Sequence, residues 1–137
     1  MIRIHRDMEY ALLALLYMDK KNELVSAREL AEAEGIPEAR LKKLLQKLAR
    51  GGVVEALQGA YGGYRLAANL STLRLGQVAE ALKDSSSYLP CDKDTVDCKK
   101  TASCKVRSAL LGIIGLIEEN IYSLSVGQVF GGLDVRE

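Results

Sequence analysis

Hydrophobic residues recur at helical spacing over most of this 137-residue chain, beginning close to its N-terminus. Residues 8–18 are apolar nearly all round, which at this length predicts a buried helix. Ser26 and Glu29 form a capping box ahead of an apolar run, so a second helix is predicted to begin near Ala27. Gly35 marks its predicted end, because glycine readily adopts the left-handed conformation that closes many helices.

A third predicted helix follows at once, since Pro37 is suited to the first turn of a helix. Its apolar side is a stripe of leucines at helical spacing: Leu41, Leu44, Leu45 and Leu48. Beyond this helix the pattern changes, because residues 53–57 and 64–66 are short β-rich runs joined by the glycine-rich segment 58–63. The change predicts a β-hairpin.

A short helix is predicted over residues 75–83, and a long one from about residue 102 to about residue 122. The long helix has an apolar seam that steps by three or four residues: Val106, Leu110, Ile113, Ile117 and Ile121. Gly112 and Gly115 leave room for another backbone to approach it closely. A helix this long on a small domain more often pairs with its copy than folds back. We therefore expect a homodimer, the alternative being a helix packed on its own domain.

These elements predict a mainly α-helical fold with one small β-hairpin. Two short helices separated by a Gly-Ile-Pro turn are typical of a helix-turn-helix, and the hairpin directly after them is typical of its wing. The predicted organisation is a winged helix-turn-helix DNA-binding domain over residues 1–83 and a cysteine loop over residues 84–104. A long dimerisation helix with a C-terminal tail occupies residues 105–137.

Net charge identifies no partner, because 19 Lys and Arg face 18 Asp and Glu, for a formal charge of +1. The charges are nevertheless clustered. The third helix contains five basic residues and no acid after Glu38: Arg40, Lys42, Lys43, Lys47 and Arg50. A basic stripe opposite the leucines is the arrangement that attracts DNA phosphates, so this helix is predicted to face double-stranded promoter DNA. The alternative is an ordinary solvated amphipathic helix.

The three cysteines, Cys91, Cys98 and Cys104, lie within 14 residues, spaced by six and then five residues. Thiolates so grouped can hold an iron–sulfur cluster, or a zinc ion completed by His5 or a carboxylate. They can also act as a thiol-based redox switch. Their odd number argues against a simple disulfide, and spacing by itself does not separate a cluster from zinc.

Several functional classes are disfavoured. The chain has a single histidine, and no nucleophile–base pair, carboxylate dyad or phosphate-binding loop is recognisable, so an enzyme is the weakest interpretation. No apolar run reaches the length of a membrane span and no signal-peptide pattern is present, so we expect no membrane association and a cytoplasmic location. A small electron carrier that does not bind DNA remains a rival hypothesis, which the basic helix argues against.

The chain resembles the winged-helix iron–sulfur regulators that include IscR and NsrR, over nearly its whole length. The resemblance is carried by the cysteine loop, the long helix after it and these segments: Tyr10-Ala11, Leu30-Ala31, Gly35-Ile36, residues 59–64 and residues 75–78. It implies a homodimeric transcription regulator whose operator affinity follows the state of a 4Fe–4S or 2Fe–2S cluster held by the three cysteines. Aligning Tyr10-Ala11 places Glu9 where NsrR-like members carry a ligating Asp from the partner subunit, and Asp7 and His5 are the alternatives.

The sequence also departs from that family's pattern. Six residues rather than the common five separate the first two cysteines, and Arg107 stands where IscR-like members carry a histidine ligand. Gln58 and Lys42 replace an Arg at the start of the wing and a Glu in the recognition helix, so the operator of those members does not transfer. Tyr61, at the tip of the wing, is expected near the minor groove or the DNA backbone.

Overall fold

The computed structural model describes residues 5–82 and 103–134, with only the backbone described for residues 132–134. These residues form six helices and two strands. In chain order they are α1 (Arg6–Lys21), α2 (Ala27–Glu34), α3 (Glu38–Arg50), β1 (Val54–Leu57), β2 (Gly63–Leu66), α4 (Leu75–Leu82), α5 (Lys105–Tyr122) and α6 (Val126–Asp134). The mainly helical fold with a small hairpin is confirmed.

The turn between α2 and α3 is built by the local signals that predict it. The Ser26 hydroxyl accepts a hydrogen bond from the Glu29 backbone N–H at 3.0 Å, which satisfies one of the free donors at the start of α2. Gly35 closes α2 in the left-handed conformation, with φ of 67°. Pro37 occupies the N-cap position, so α3 begins at Glu38.

The wing is an antiparallel hairpin in which Val54 pairs with Leu66 and Leu57 with Gly63. A third segment joins it from outside, because Val25 and Tyr64 exchange two backbone hydrogen bonds of 2.9 and 2.8 Å. The residues just before α2 thus pair with the second strand of the wing. This pairing fixes the hairpin against the helix-turn-helix.

The core lies between α1, α2, α3 and α4, and aliphatic side chains fill it. The leucine stripe of α3 is its centre, with Leu41, Leu45 and Leu48 fully buried and Leu44 only 3% exposed. From α1 the core receives Ala11, Ala14, Leu15 and Met18. Burial of one side of α3 leaves its opposite side facing solvent.

The C-terminal third is organised differently. The long helix begins at Lys105, slightly later than the sequence predicts, because Cys104 is its N-cap residue. The segment interpreted as a tail contains a further helix, α6, which the sequence analysis did not assign. Backbone N–H groups of Val126 and Gly127 donate to Leu73 and Leu70 at 2.7 and 2.9 Å, so α6 is docked on the segment after the wing. No described helix is long and apolar enough to cross a membrane.

Candidate nucleic-acid interface

The outer side of α3 carries every basic residue that the sequence predicts to face DNA. Its four leucines point into the core, and the side chains opposite them are exposed. The exposed cations are Arg40, Lys42, Lys43, Lys47 and Arg50. A helix with its apolar side buried and its cationic side exposed has the geometry needed to enter the major groove.

The basic residues of α3 are not all free of acidic neighbours in the structure. Lys42 Nζ lies 3.2 Å from Glu38 Oε1, one turn earlier on the same helix. Lys43, Lys47 and Arg50 have no ion pair within the described residues. Because a paired lysine already has its charge partly neutralised, we expect Lys43 and Lys47 to attract phosphates more strongly than Lys42.

Arg40 is held by the first helix rather than extending freely into solvent. Its Nε donates to Asp7 Oδ1 at 2.8 Å, and its guanidinium carbon lies 5.4 Å from the centre of the Tyr10 ring. Arg6 contacts the same ring at 5.8 Å. The pair of Arg40 and Asp7 joins α1 to the start of α3 across 33 residues of sequence. Residue patterns did not reveal this contact, since no local spacing relates the two positions.

The wing presents the two predicted residues on its exposed connection. Gln58 follows β1 directly and is exposed, and Tyr61 is 95% exposed at the tip. Across the strands, Arg65 Nε donates to Glu55 Oε2 at 2.8 Å. A tyrosine this exposed makes little contribution to packing within its own chain, which is consistent with a role in contacting another molecule.

Gln46 is an exposed residue of α3 that the sequence analysis missed. It lies on the surface next to Lys43, three residues before it, and Arg50, four residues after it. A glutamine amide can both donate to and accept from an adenine edge in the major groove. The sequence signal for Gln46 is its helical spacing from these basic neighbours, which a pattern of charges alone does not reveal.

A second exposed surface runs along α5, and it is apolar. No residue of α5 is buried, and four members of the predicted seam have large exposed fractions. They are Val106 at 65%, Leu110 at 41%, Ile113 at 55% and Ile121 at 38%. Exposed apolar surface of this kind is typical of a face that another molecule covers.

Of the predicted metal ligands, Cys91 and Cys98 lie outside the described residues. Cys104 is half-buried at the N-terminus of α5, where its sulfur accepts a hydrogen bond from the Arg107 backbone N–H at 3.4 Å. Residues 5–82 and 103–134 contain no group of three or more His, Cys, Asp or Glu able to hold a metal ion.

The three candidates for a fourth ligand lie together at the start of α1. Glu9 is exposed and makes a surface ion pair with Arg6 at 3.3 Å. The carboxylate of Asp7 is engaged by Arg40. His5 precedes the helix in the N-cap position. Of the two carboxylates, only Asp7 joins α1 to another helix, so Glu9 contributes less to the packing of its own chain.

Residues 4–131 match the Rrf2 family, described as an iron-dependent transcriptional regulator. The chain belongs to the Rrf2 family. Protein aau3 of Rhizobium meliloti (strain 1021) is 34% identical over 111 residues, covering 80% of this chain and 72% of that protein. Protein rrf2 of Nitratidesulfovibrio vulgaris is 32% identical over 84 residues, covering 61% of this chain and 56% of the relative's own length.

Solved structures of similar fold include T. potens IscR, with 22% identity and a TM-score of 0.70, covering 96% of this chain and 88% of that chain. CymR of B. subtilis, named the global cysteine regulator, has 23% identity and a TM-score of 0.64, covering 94% of this chain and 96% of that chain. These likenesses show the winged-helix fold. Membership of the Rrf2 family makes this protein a transcriptional regulator rather than an enzyme.

The predicted resemblance to winged-helix regulators such as IscR is thereby confirmed at the level of the family. An Rrf2-family protein acts on transcription by binding DNA, and the cationic side of α3 beside the wing is the surface of this member that suits that task.

Proposed function

We propose that this protein is a homodimeric transcription regulator that binds promoter DNA through α3 and the wing and responds to iron–sulfur, nitric oxide or redox status. The observation that carries the proposal is the structure of α3, whose four leucines are buried while its cationic side is exposed. A cytoplasmic location is part of the proposal, because a regulator of transcription acts where the promoter lies.

In this proposal α3 enters the major groove and the wing lies alongside. The residues that contact DNA are Arg40, Lys42, Lys43, Lys47, Gln58 and Tyr61. Lysine or arginine toward the N-terminus of the helix, Arg40 among them, pairs with guanine edges, while the outer cations contact phosphates. The exposed ring of Tyr61 approaches the backbone or the minor groove from the wing tip.

Substitution of Lys43 or Lys47 tests this interface. Lys43→Ala and Lys47→Ala should each weaken binding to promoter DNA and lower the slope of log affinity against log salt by about one for each phosphate that is no longer contacted. Lys20→Ala is the control, because Lys20 is an exposed lysine in the last turn of α1 and not on α3. Affinity within about twofold of wild type in both α3 variants would show that α3 is not the DNA-facing helix.

The dimer is proposed from α5. Its exposed apolar seam needs a cover, and a second copy of the same helix supplies a matching one. A Cβ added at Gly112 or Gly115 would meet no atom of another element among the described residues within 4 Å, which leaves space for a partner's backbone. Two-fold pairing through α5 presents two copies of α3 to a pseudo-palindromic operator.

Cys91, Cys98 and Cys104, with Glu9 of the partner subunit, are proposed to hold a 4Fe–4S or 2Fe–2S cluster. The described residues are compatible: Cys104 lies at the positive end of the α5 dipole, which favours an anionic ligand, and Glu9 is accessible. The family description, an iron-dependent transcriptional regulator, supports iron. When bound, such a cluster supplies reactivity toward electrons and nitric oxide, and a carboxylate ligand gives it a labile position.

A thiol- or zinc-controlled regulator without a cluster is the second candidate. It is favoured by the likeness to CymR, one of whose structures, from Staphylococcus aureus, is an oxidised form with a TM-score of 0.66. Cys104 is accessible enough for such chemistry, since it is half-buried rather than enclosed.

Anaerobic purification followed by iron, sulfide and zinc analysis separates the two candidates. We expect stoichiometric iron and sulfide, absence of both in Cys98→Ala, and retained iron with an altered spectrum in Glu9→Ala. Zinc without sulfide, or neither, would favour the second candidate. A Glu9→Ala protein that equals wild type in spectrum and nitric oxide response would exclude Glu9 as the ligand, making His5→Ala and Asp7→Ala the next variants.

A further inference from the structure

Arg40 stands at the first turn of α3, at the end that approaches α1. Its side chain is half-exposed, yet two contacts define its position: the 2.8 Å hydrogen bond to Asp7 and the Tyr10 ring beneath its guanidinium. An exposed arginine ordinarily samples many rotamers, and fixing it on binding costs free energy. In this protein the contacts with Asp7 and Tyr10 of α1 already fix the Arg40 side chain before any ligand binds, so less of that free energy is lost on binding.

The hydrogen-bond geometry leaves Arg40 able to contact something else. Asp7 accepts from Nε, which is the inner edge of the guanidinium. A guanidinium has five N–H donors in a rigid plane, so its terminal Nη groups keep donors for a further acceptor. The plane of those donors is set by Tyr10 and Asp7, and not by the flexible stem of Arg40.

A carboxylate beside a helix that faces DNA also weakens the attraction of that helix to phosphates. Asp7 is 40% exposed and repels phosphates at any sequence, so it weakens non-specific attraction. A residue that opposes indiscriminate binding while it orients a base-reading side chain increases the difference between right and wrong sequences.

We propose that Asp7 is a positioning residue for operator specificity, acting through Arg40 with Tyr10 as the supporting surface. This inference rests on the proposed binding of DNA by α3. It assigns Asp7 a role in its own subunit, within the DNA-binding block, in place of a ligand role toward the partner subunit.

The experiment uses the full-length protein, purified anaerobically, and selects a preferred sequence for wild type from a randomised 30-base-pair duplex library, about three helical turns of DNA. Fluorescence anisotropy then gives affinity for that duplex and for a shuffled duplex of the same composition. A library from which no sequence is enriched, or the absence of salt-dependent binding to the selected and shuffled duplexes, would overturn the proposed function itself. Salt-dependent binding to both duplexes leaves the ratio of the two affinities as the test of Asp7.

Asp7→Ala should bind the shuffled duplex more tightly than wild type does, while the ratio of selected to shuffled affinity falls by about three- to tenfold, the equivalent of one immobilised side chain. Asp7→Asn keeps an acceptor for Nε without the charge, so it should retain most of the ratio. Glu38→Ala is the matched control, because it removes an equal charge from the same surface without touching Arg40.

A double-variant cycle decides whether Asp7 acts through Arg40. In an Arg40→Ala background, Asp7→Ala should leave the affinity ratio unchanged. An unchanged ratio in Asp7→Ala alone would overturn the inference. So would an equal fall in Glu38→Ala, or a fall that persists without Arg40. The pair is exposed and contributes at most about 1 kcal/mol to stability, so the variants should fold.

Discussion

The helices α3 and α5 have the same kind of sequence pattern and lie in opposite surroundings. Both place apolar residues at steps of three and four. In α3 the apolar stripe is covered by α1, α2 and α4, and none of its leucines is more than 3% exposed. In α5 no residue is buried. Hydrophobic periodicity therefore predicts that a helix side needs a cover without saying which chain supplies it.

The attachment of the two helices explains the difference. α3 is enclosed on its apolar side by elements before and after it in sequence. α5 is held by its C-terminal end, where Leu75 N–H donates to Leu124 O at 2.9 Å and Gly76 packs against Tyr122. The rest of its seam meets little of the described part of the chain, which is why we propose a second copy as its cover.

The largest expected effect comes from a charge in the seam of α5. Ile113→Asp should weaken dimerisation by more than about a hundredfold, since an unpaired buried charge costs several kcal/mol. Sedimentation velocity at low micromolar concentration measures it. Ser108→Asp, on the other side of α5, is the matched control and should remain dimeric. A soluble Ile113→Asp protein that still sediments as a dimer would contradict pairing through α5.

Truncation in the core of α3 should have the next largest effect, and of a different kind. Leu45 is fully buried, so Leu45→Ala should lower the free energy of unfolding by about 2–5 kcal/mol. This decrease should be nearly independent of protein concentration, because the cover of Leu45 is in the same chain. Ile113→Ala should instead shift denaturation mainly at low concentration. The same concentration dependence for both variants in urea titrations would remove the distinction between the two helices.

The contact between α4 and α5, which joins the part of the chain around α3 to the long helix, is tested by Gly76→Ala. An added Cβ would lie 3.1 Å from Tyr122 Cβ and 3.2 Å from Tyr122 O, forcing α4 and α5 apart at a cost of about 1–3 kcal/mol. We expect reduced operator affinity with dimerisation retained, measured by anisotropy and sedimentation. Gly131→Ala is the control and should match wild type, because an added Cβ there meets no atom of another element among the described residues within 4 Å. Unchanged operator affinity in a folded Gly76→Ala dimer would show that this junction does not orient α3.

The smallest effect concerns the polar side of α3. Lys42→Ala should lower the salt slope of DNA binding by less than the change of about one expected for Lys43→Ala, because Glu38 already neutralises part of the Lys42 charge. Titrations of both variants at several salt concentrations make the comparison. Equal slopes would mean that the 3.2 Å pair opens when DNA binds.

Much of the winged helix-turn-helix, formed by α2, α3 and the hairpin, was predictable because its sequence signals are local. The Ser26 cap, the end of α2 at Gly35 and the hairpin after α3 each depend on residues a few positions apart, and each is observed where predicted. The cationic side of α3 follows from the same helical period that buries its leucines.

Other parts of the site were not predictable from pattern. α6 contains Gly127 and Gly131, which disfavour an isolated helix, and it forms where backbone hydrogen bonds to the segment after the wing offset that weakness. The contact of Asp7 with Arg40 joins positions that no sequence spacing relates. The domain boundaries and the three-cysteine site stay predictions.

By itself, the sequence determined which side of each helix is apolar, where the helix-turn-helix turns and where positive charge gathers, because these properties arise from neighbouring residues and the helical period. Only the tertiary structure decided which apolar side is covered within the chain. It also decided which cations of α3 are paired with an acid from a distant segment and which are not. Those outcomes depend on contacts between distant segments, as when Asp7 of α1 meets Arg40 of α3 and Lys43 meets no acid among the described residues.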